Sequence, residues 1–257
     1  RHPYFWKSQM DSNTVKSYFE NLNVVADYAK AVDQVKLWNS EAIIFSKYIK
    51  TTDTILELGC GAGRIGINLA RNGYTNIKIT DFSENMVAIA KMIAERDALN
   101  ISAEVCDATK IPYLENTFDA VIFGFNGLMQ IPRKDCRITA LKHIRRILKD
   151  DGIFIFTTHD RDVSEHKDYW SSEKKQWEHG VQDPRLDEFG DIFYKGDHGN
   201  IFIHSPSKDE IVQSLSEANL ELIYSERRSA IADEPACVSD FSDDCIFWIT
   251  KKAIRTT

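Results

Sequence analysis

The fold is decided by the stretch Thr54-Ile55-Leu56-Glu57-Leu58-Gly59-Cys60-Gly61-Ala62-Gly63. Its apolar first half is typical of a buried strand, and its second half carries glycine at every other position. Helical periodicity follows directly over 64–72 and ends at Gly73. Glycines at this spacing let the backbone turn tightly and bring N–H groups close to a ligand. We therefore predict a strand, a ligand-binding loop and a helix in direct succession.

The alternation of strand and helix continues on the C-terminal side of this loop. Strand patterns lie at 77–80, 101–105, 120–123 and 152–158, with later candidates at 220–225 and 246–250 that a long polar loop separates. Helical patterns separate the earlier strands, including one that Ser83 can cap and one over 137–148. Strands joined by helices of this length form right-handed crossovers in a largely parallel sheet. We therefore expect an α/β fold with a doubly wound sheet.

The remaining segments add to this core and predict one domain over 1–257. Helical periodicity fills 10–50, whereas aromatic, charged and glycine-rich sequence interrupts the alternation over 159–206. The turn at 196–199 predicts a hairpin there, and Ser207 with Glu210 predicts a capping box that opens the next helix. We expect a helical cover (10–50), a cofactor-binding core (51–158), a substrate-side insertion or lid (159–206) and a C-terminal part of the sheet (207–257). Residues 1–9 lack an initiator Met and are left out, with Met10 as a candidate native start.

The composition argues against several classes of protein. Across 257 residues, 39 Asp and Glu outweigh 32 Lys and Arg, so the net charge of −7 argues against a nucleic-acid partner. Apolar runs are too short for a spanning helix, which argues against a membrane protein. The five cysteines show no C-x-x-C spacing, and His198 and His204 have no acid at a fixed spacing, so we expect no bound metal. Unpaired thiols favour a cytoplasmic protein.

Two kinds of cofactor compete for the glycine loop. Residues 61–66 spell G-x-G-x-x-G, and Asp81 follows about 20 residues on, which fits an NAD(P)-dependent oxidoreductase. Glu57, at the end of the first strand, disfavours that hypothesis because a carboxylate repels a pyrophosphate and attracts an ammonium or sulfonium group. A second acid, Asp107, ends the third strand on the same edge of the sheet. The residues therefore favour a cofactor that carries a positive charge and a ribose.

Residues 54–158 together resemble a class I S-adenosylmethionine-dependent methyltransferase. The loop from Glu57 to Gly63 is similar to the family's first motif, Cys106-Asp107-Ala108 to its third-strand ending, and residues 118–123 to its fourth-strand motif. The resemblance implies S-adenosylmethionine as the cofactor, with Glu57 beneath the loop near the amino end of that cofactor. It also implies a mostly parallel seven-stranded sheet whose last strand, at 246–250, runs antiparallel beside 220–225.

The resemblance further assigns roles to single residues. Asp81 would bind the two ribose hydroxyls, and Phe82 and Met86 would pack against the adenine. Asp107 and the Ala108 N–H would read the adenine edge. The complete set implied for the cofactor is Glu57, Gly59, Cys60, Gly61, Gly63, Arg64, Asp81, Phe82, Met86, Asp107, Ala108 and Phe123.

We expect the acceptor at the same edge of the sheet, where ligands lie outside the carboxyl ends of parallel strands. His159 follows the fifth strand, and imidazole titrates near neutrality, so we predict it as the catalytic base, with a hydrogen bond to the loop backbone as the alternative role. Asn126 follows the fourth strand, where its amide holds either an acceptor carbonyl or the amino acid end of the cofactor, or only stabilises a turn. Arg161 either pairs with an acceptor carboxylate or ties down the insertion. The predicted substrate-binding residues are Tyr18, Tyr28, Asn126, Arg161 and Trp170, although aromatic residues at helical spacing are more typical of a core.

The resulting hypothesis is a methyltransferase that acts on nitrogen or oxygen of a small molecule or a peptide end. Residues 124–129, after the fourth strand, lack the Asn-Pro-Pro-aromatic motif of enzymes that methylate amino groups of nucleic acids. The alternatives are an NAD(P)-dependent oxidoreductase and a non-catalytic cofactor-binding scaffold. The oxidoreductase is disfavoured because the one Tyr-x-x-x-Lys pair, Tyr74 with Lys78, lies away from the predicted site edge.

Overall fold

The computed structural model describes residues 10–253, and the expectations for residues 1–9 lie outside this range. The helices are α1 (Ser12–Phe19), α2 (Leu22–Gln34), α3 (Asn39–Tyr48), α4 (Arg64–Arg71), α5 (Glu84–Arg96), α6 (Lys134–Ile147), α7 (Lys167–Glu178), α8 (Lys208–Glu217), α9 (Arg228–Ile231) and α10 (Ala236–Phe241). The strands are β1 (Thr54–Glu57), β2 (Asn76–Asp81), β3 (Ser102–Val105), β4 (Phe118–Phe123), β5 (Leu148–Thr158), β6 (Asp191–Gly196), β7 (Gly199–His204), β8 (Leu220–Arg227) and β9 (Ile246–Lys252).

Seven of these strands form one sheet in the order β3-β2-β1-β4-β5-β9-β8. The strands from β3 to β5 pair in parallel, whereas β9 pairs antiparallel with both β5 and β8. This confirms the predicted doubly wound, mostly parallel seven-stranded sheet with an antiparallel last strand. The strand order reverses beside β1, between β2 and β4, and a crevice for ligands opens at such a reversal.

Apolar side chains cover both faces of the sheet, as a parallel sheet requires. Side chains of a strand alternate between its faces, so Ile55 and Leu56 of β1 enter two different hydrophobic clusters although both are completely buried. The Ile55 cluster includes Trp38 and Phe45 of the N-terminal segment, and the Leu56 cluster includes Leu141 of α6. The N-terminal helices therefore pack on one face of the sheet.

A third hydrophobic cluster joins the N-terminal helices to the segment between β5 and α8. It contains Val15 and Phe19 of α1, Met86 of α5, and Leu186 and Phe202 from that later segment. The hairpin β6–β7 has the predicted position, with Gly196 paired to Gly199 across the turn, so this expectation is confirmed. The N-terminal cover and the insertion thus pack against each other over the same edge of the core.

Helix starts follow the capping residues that the sequence predicts. The Ser83 hydroxyl accepts the Met86 N–H at the start of α5, and Ser207 forms a capping box with Glu210 at the start of α8. The region between β8 and β9 differs from the predicted long loop because it contains the short helices α9 and α10. Tertiary burial explains these helices, since Val238 is completely buried and the Arg228 guanidinium lies 5.0 Å from the Trp38 ring centroid.

Two further expectations concern the chain as a whole. Within residues 10–253 no helix has the length and apolarity needed to cross a bilayer. The five cysteines, all in the described range, carry free thiols.

Candidate functional site

The glycine loop turns through left-handed backbone conformations at Gly59, Gly61 and Gly63. At Gly61 φ is +54°, and a side chain there would place its Cβ 2.7 Å from the Tyr28 ring. Only glycine tolerates both the backbone conformation and this close approach. The N-terminal cover therefore lies directly against the loop, through a residue that the sequence assigned to the acceptor.

Asp81, at the end of β2, is bound to the glycine loop. Its carboxylate accepts the Gly61 N–H at 2.8 Å and the Ser83 N–H at 2.9 Å, while the residue is 5% exposed. Burial raises its pKa to about 6, against the opposing effect of these two bonds. A carboxylate has about four lone-pair positions, so it keeps acceptor capacity for ligand hydroxyls.

Glu57, at the end of β1, lies beneath the loop and does not line the cleft. Its Oε2 accepts the Gly66 N–H at 2.8 Å. Burial raises its pKa to about 8, so the carboxyl is largely protonated at neutral pH in this structure. The carboxyl therefore carries little of the negative charge that, in the sequence argument, attracts a cationic cofactor. Glu57 instead links the first turn of α4 to β1.

Arg64, the first residue of α4, binds the N-terminal cover. Its guanidinium forms two 2.7 Å bonds to the Glu41 carboxylate and a third to the Lys36 carbonyl, and it lies 4.8 Å from the Trp38 ring centroid. The sequence assigned Arg64 to the cofactor, but all of these partners belong to the cover. Nothing in the sequence indicated Glu41 as its partner, because the two residues are 23 positions apart.

A cleft of about 730 Å³ opens at the reversal of strand order. The predicted residues that line it are Gly59, Gly61, Asp81, Phe82, Asp107, Ala108 and Phe123. Cys60, Gly63 and Met86 do not line it, and Met86 is completely buried in the third hydrophobic cluster. The sequence missed Ser12, Val15 and Phe19 from α1 and residues 130–132, which close the cleft from above. Local periodicity marks these as ordinary helix or loop positions, so only tertiary packing reveals them.

A second and larger cavity adjoins this cleft, and Tyr28, Phe125 and Gln130 line both. Tyr18, Asn126, His159 and Trp170, all predicted for catalysis or the acceptor, also line the second cavity, hereafter the acceptor cavity. The insertion and the segment 239–246 provide most of its remaining wall.

Asn126 and His159 meet at the end of the acceptor cavity that lies nearest the sheet. The Asn126 N–H donates to the Thr157 hydroxyl at 2.9 Å, and its Nδ2 lies 3.2 Å from His159 Nε2. His159 Nδ1 lies 3.4 Å from the Asp244 carbonyl. Burial lowers the His159 pKa, so the imidazole is neutral and can accept a proton. Asn126 Oδ1 is buried without a hydrogen-bond partner among the described residues.

Arg161 lies outside the acceptor cavity. Its guanidinium binds the Glu210 carboxylate through two bonds, donates to the Ser205 carbonyl at 3.1 Å and lies 4.9 Å from the Phe189 ring centroid. Of the two roles that the sequence left open, these contacts match the one that ties down the insertion.

The histidines of the hairpin have acid partners, which no fixed spacing in the sequence indicated. His198 Nε2 lies 2.7 Å from Asp27, and His204 Nδ1 lies 2.8 Å from Asp191. The cluster Glu188, Asp191 and His204 has the spacing of a metal site. Its atoms are already occupied, however, since Glu188 also accepts a 2.6 Å bond from Arg137, and this network instead fastens the insertion to α6.

Comparison with known proteins agrees with this geometry. Residues 55–152 match the family model described as a methyltransferase domain. A curated relative, the demethylmenaquinone methyltransferase of Leptospira interrogans, is 31% identical over 178 residues, which is 63% of this chain and 67% of the relative. The dinucleotide-binding fold has a wholly parallel 3-2-1-4-5-6 sheet, whereas here the antiparallel β9 lies between β5 and β8. The chain belongs to the class I S-adenosylmethionine-dependent methyltransferases.

The solved structures that this methyltransferase resembles share its fold. A methyltransferase from Methanosarcina mazei superposes with a TM-score of 0.66 at 18% identity, over 86% of this chain and 100% of the other. A cyclase superposes with a TM-score of 0.65 at 17% identity, over 96% and 97% of the two chains. The methyltransferase spans 51% to 67% of the length of the first curated relatives that it matches.

The cofactor of this methyltransferase is S-adenosylmethionine, and the cleft fits it. The buried Asp81 carboxylate keeps free lone pairs for ribose hydroxyls, and Asp107 and Ala108 stand at the end of β3 where an adenine edge would lie. Asp107 Oδ1 accepts the Thr109 N–H at 2.8 Å, which fixes the carboxylate in a turn. Phe19 and Phe82 supply apolar walls.

Proposed function

We propose that this methyltransferase transfers the methyl group of S-adenosylmethionine to a nitrogen or oxygen atom of a small molecule bound in the acceptor cavity. The observation that carries the proposal is the Asn126–His159 contact in the wall of that cavity, where Asn126 follows Phe125, which lines both the cavity and the cofactor cleft. A neutral base and an amide oxygen without a partner among the described residues both line that cavity, which supports a role in binding and deprotonating an acceptor. This arrangement is suited to accepting a proton from the acceptor.

The protein's own contribution is mainly positioning. When bound, S-adenosylmethionine supplies a methyl carbon that its sulfonium already activates. Asp81 and the glycine loop hold the cofactor, and Asn126 orients the acceptor, so the two reactants meet in line; such positioning supplies up to ~7–11 kcal/mol. His159 takes the acceptor's proton, and the rings of Tyr28 and Phe125 exclude water from the junction.

A quinol-type acceptor is a second candidate. The Leptospira relative is named for demethylmenaquinone, and the acceptor cavity is lined by several aromatic rings that would pack against a fused ring system.

Formation of S-adenosylhomocysteine in the presence of pooled small-molecule acceptors tests the proposal. We expect turnover with at least one pool and a large loss of turnover in His159→Ala. Tight S-adenosylmethionine binding without turnover on amine, hydroxyl or quinol pools would instead support the cofactor-binding scaffold. Binding of NADH without binding of S-adenosylmethionine would restore the oxidoreductase hypothesis.

A further inference from the structure

We propose that the acceptor is a cationic amine with an aromatic or otherwise apolar body. This inference rests on the proposed function, and it names the chemical class that the acceptor cavity selects. Three features of the cavity support it: its negative charge, a buried amide oxygen without a partner among the described residues, and its aromatic rings.

The acceptor cavity has a large excess of negative charge. The carboxylates that line it are Asp27, Asp160, Glu165, Asp197, Asp240, Asp243 and Asp244. Among the described lining residues, Arg227 is the one Lys or Arg, and it is neutralised by Asp160 at 3.0 Å and Asp244 at 3.9 Å. A cleft lined by one sign of charge concentrates ligands of the opposite sign.

Several of these carboxylates have no cationic partner in the part of the chain that the structure describes. No hydrogen bond or ion pair within residues 10–253 involves the side chains of Glu165, Asp240 or Asp243. The charge of Asp243 nevertheless acts on His159, which directly follows β5, and on Tyr194 of β6. Asp243 therefore lies close enough to the base to act on a cation bound there.

The second observation is independent of this charge. Asn126 is 4% exposed, and its Oδ1, a pure hydrogen-bond acceptor, has no donor among residues 10–253. A buried acceptor of this kind is normally satisfied, so its partner is expected to be a ligand donor. The amide also contacts His159, which puts the missing donor beside the base.

Aromatic rings complete the environment of an ammonium group. Phe125 and Phe241 stack with centroids 4.7 Å apart, and Tyr28 packs edge-on against both. Tyr169 and Trp170 line the opposite part of the cavity. Aromatic faces attract cations, and they also bury the apolar body of a ligand. A carboxylate or phenolate acceptor would meet repulsion from these acids, which are exposed and hydrated, and a neutral quinol would gain no attraction from them.

The reaction balances without any further reactant. The Asn126 amide turns away from His159, and the ammonium then gives one proton to the freed Nε2, so that the ring becomes imidazolium. The lone pair of the neutral amine forms the new N–C bond to the methyl carbon, while the S–C bond breaks and its electron pair goes to sulfur. The product is the methylated ammonium ion and a neutral thioether, and His159 then releases its proton to solvent.

Binding of matched probes tests the inference separately from turnover. Phenylethyl and indolylethyl probes, each as the amine, the alcohol and the chain-matched carboxylate, are titrated into the full chain saturated with S-adenosylhomocysteine. We expect the amines to bind about tenfold tighter than the alcohols, a difference of about 1.4 kcal/mol. This preference should decrease as salt is added, because salt screens the carboxylates that line the acceptor cavity.

The variant Asp243→Asn tests whether this carboxylate causes the preference for amines over alcohols. We expect it to weaken amine binding several-fold and to leave alcohol binding unchanged. Asp209→Asn is the matched control, since Asp209 is an exposed acid on α8 that does not line the cavity. An unchanged amine affinity in Asp243→Asn would show that Asp243 does not attract the amine, and the inference from charge would then be wrong.

The possible outcomes separate the two proposals. Alcohols or carboxylates that bind as tightly as the amines, or amines that do not bind at all, would overturn the amine inference. Turnover on a quinol and on no amine would also overturn it, but would keep the proposed methyl transfer. Selective amine binding without S-adenosylhomocysteine formation from any acceptor would support the selectivity and overturn the proposed function.

Discussion

Nδ2 of Asn126 lies 3.2 Å from Nε2 of His159, although 33 residues separate them in the sequence. The two residues follow β4 and β5, which are parallel neighbours with Phe123 opposite Phe156, so their strands end at the same edge. An amide N–H that donates to Nε2 leaves the proton on Nδ1, facing the Asp244 carbonyl. The contact therefore holds a neutral imidazole with its basic nitrogen on the Asn126 amide, and this amide has to turn away before Nε2 accepts a proton from an acceptor.

Replacing this imidazole should affect turnover and not cofactor binding. We expect His159→Ala to lower kcat by a factor of ~10²–10⁴ while the dissociation constant of S-adenosylmethionine stays the same. Single-turnover kinetics and calorimetry measure the two quantities. His179→Ala, an exposed histidine at the end of α7, is the control. Normal turnover in His159→Ala at saturating acceptor would show that positioning alone drives the reaction.

The affinity for S-adenosylmethionine should fall in mild acid because of Asp81. Its pKa is raised to about 6, so the carboxylate is ionised at pH 8 and largely protonated at pH 5 in the free protein. A protonated carboxyl accepts fewer ribose hydrogen bonds. We expect Asp81→Ala to weaken binding by about 1.5–3 kcal/mol at pH 8 and to remove most of this pH dependence. Calorimetry at both pH values checks this. If the variant binds S-adenosylmethionine as tightly as the natural chain does, Asp81 does not bind the cofactor.

Glu57 should make the free energy of unfolding depend on pH. Its pKa is about 8 in the folded protein against an ordinary glutamate value of 4.5, so the folded state holds a proton that the unfolded state loses. The resulting stabilisation is complete below pH 4.5 and is lost as the pH rises through 8, by at most ~1.4 kcal/mol per pH unit. Glu57→Gln keeps an acceptor for Gly66 and cannot titrate. Urea titrations from pH 5 to 9 should therefore give a flatter profile for the variant, and parallel profiles would contradict the assignment.

Breaking the Glu41–Arg64 pair should destabilise the fold. The two side chains are 1% and 7% exposed, so Glu41→Ala leaves a buried guanidinium without its anion. We expect a loss of about 3–5 kcal/mol in urea unfolding, and recovery of most of it when Arg64→Met is added. Glu217→Ala removes the exposed pair with Lys134 and should change little. Equal effects of Glu41→Ala and Glu217→Ala would show that burial does not set the strength of these pairs.

The sheet was predictable because its signals are local. The glycine loop after β1, the Ser83 cap and the alternating pattern of the hairpin each depend on residues within a few positions of one another. The helices α9 and α10 were missed for the opposite reason. They are only four and six residues long, too short to show a helical period, and distant partners hold them, such as Trp38, whose ring lies near the Arg228 guanidinium.

The predictions for the site residues show the same contrast between local signals and distant partners. Motif residues such as Asp81 and Asp107 line the cleft where the resemblance places them. Arg64 and Arg161 have the right residue type and position for ligand contacts, yet Glu41 and Glu210 occupy them. Choosing between a ligand and an internal partner for an arginine requires knowing which acids fold next to it, and spacing alone does not carry that information.

The hydrophobic cluster of Val15, Phe19, Met86, Leu186 and Phe202 has a consequence for protein engineering. It joins two segments that are remote in sequence: α1, which lines the cofactor cleft, and the insertion, which lines the acceptor cavity. A chimera that imports only the insertion of another methyltransferase would set a foreign apolar surface against α1 and leave it poorly packed. Transplanting acceptor specificity therefore requires exchanging both segments as one module, and natural variation in one should be accompanied by compensating variation in the other.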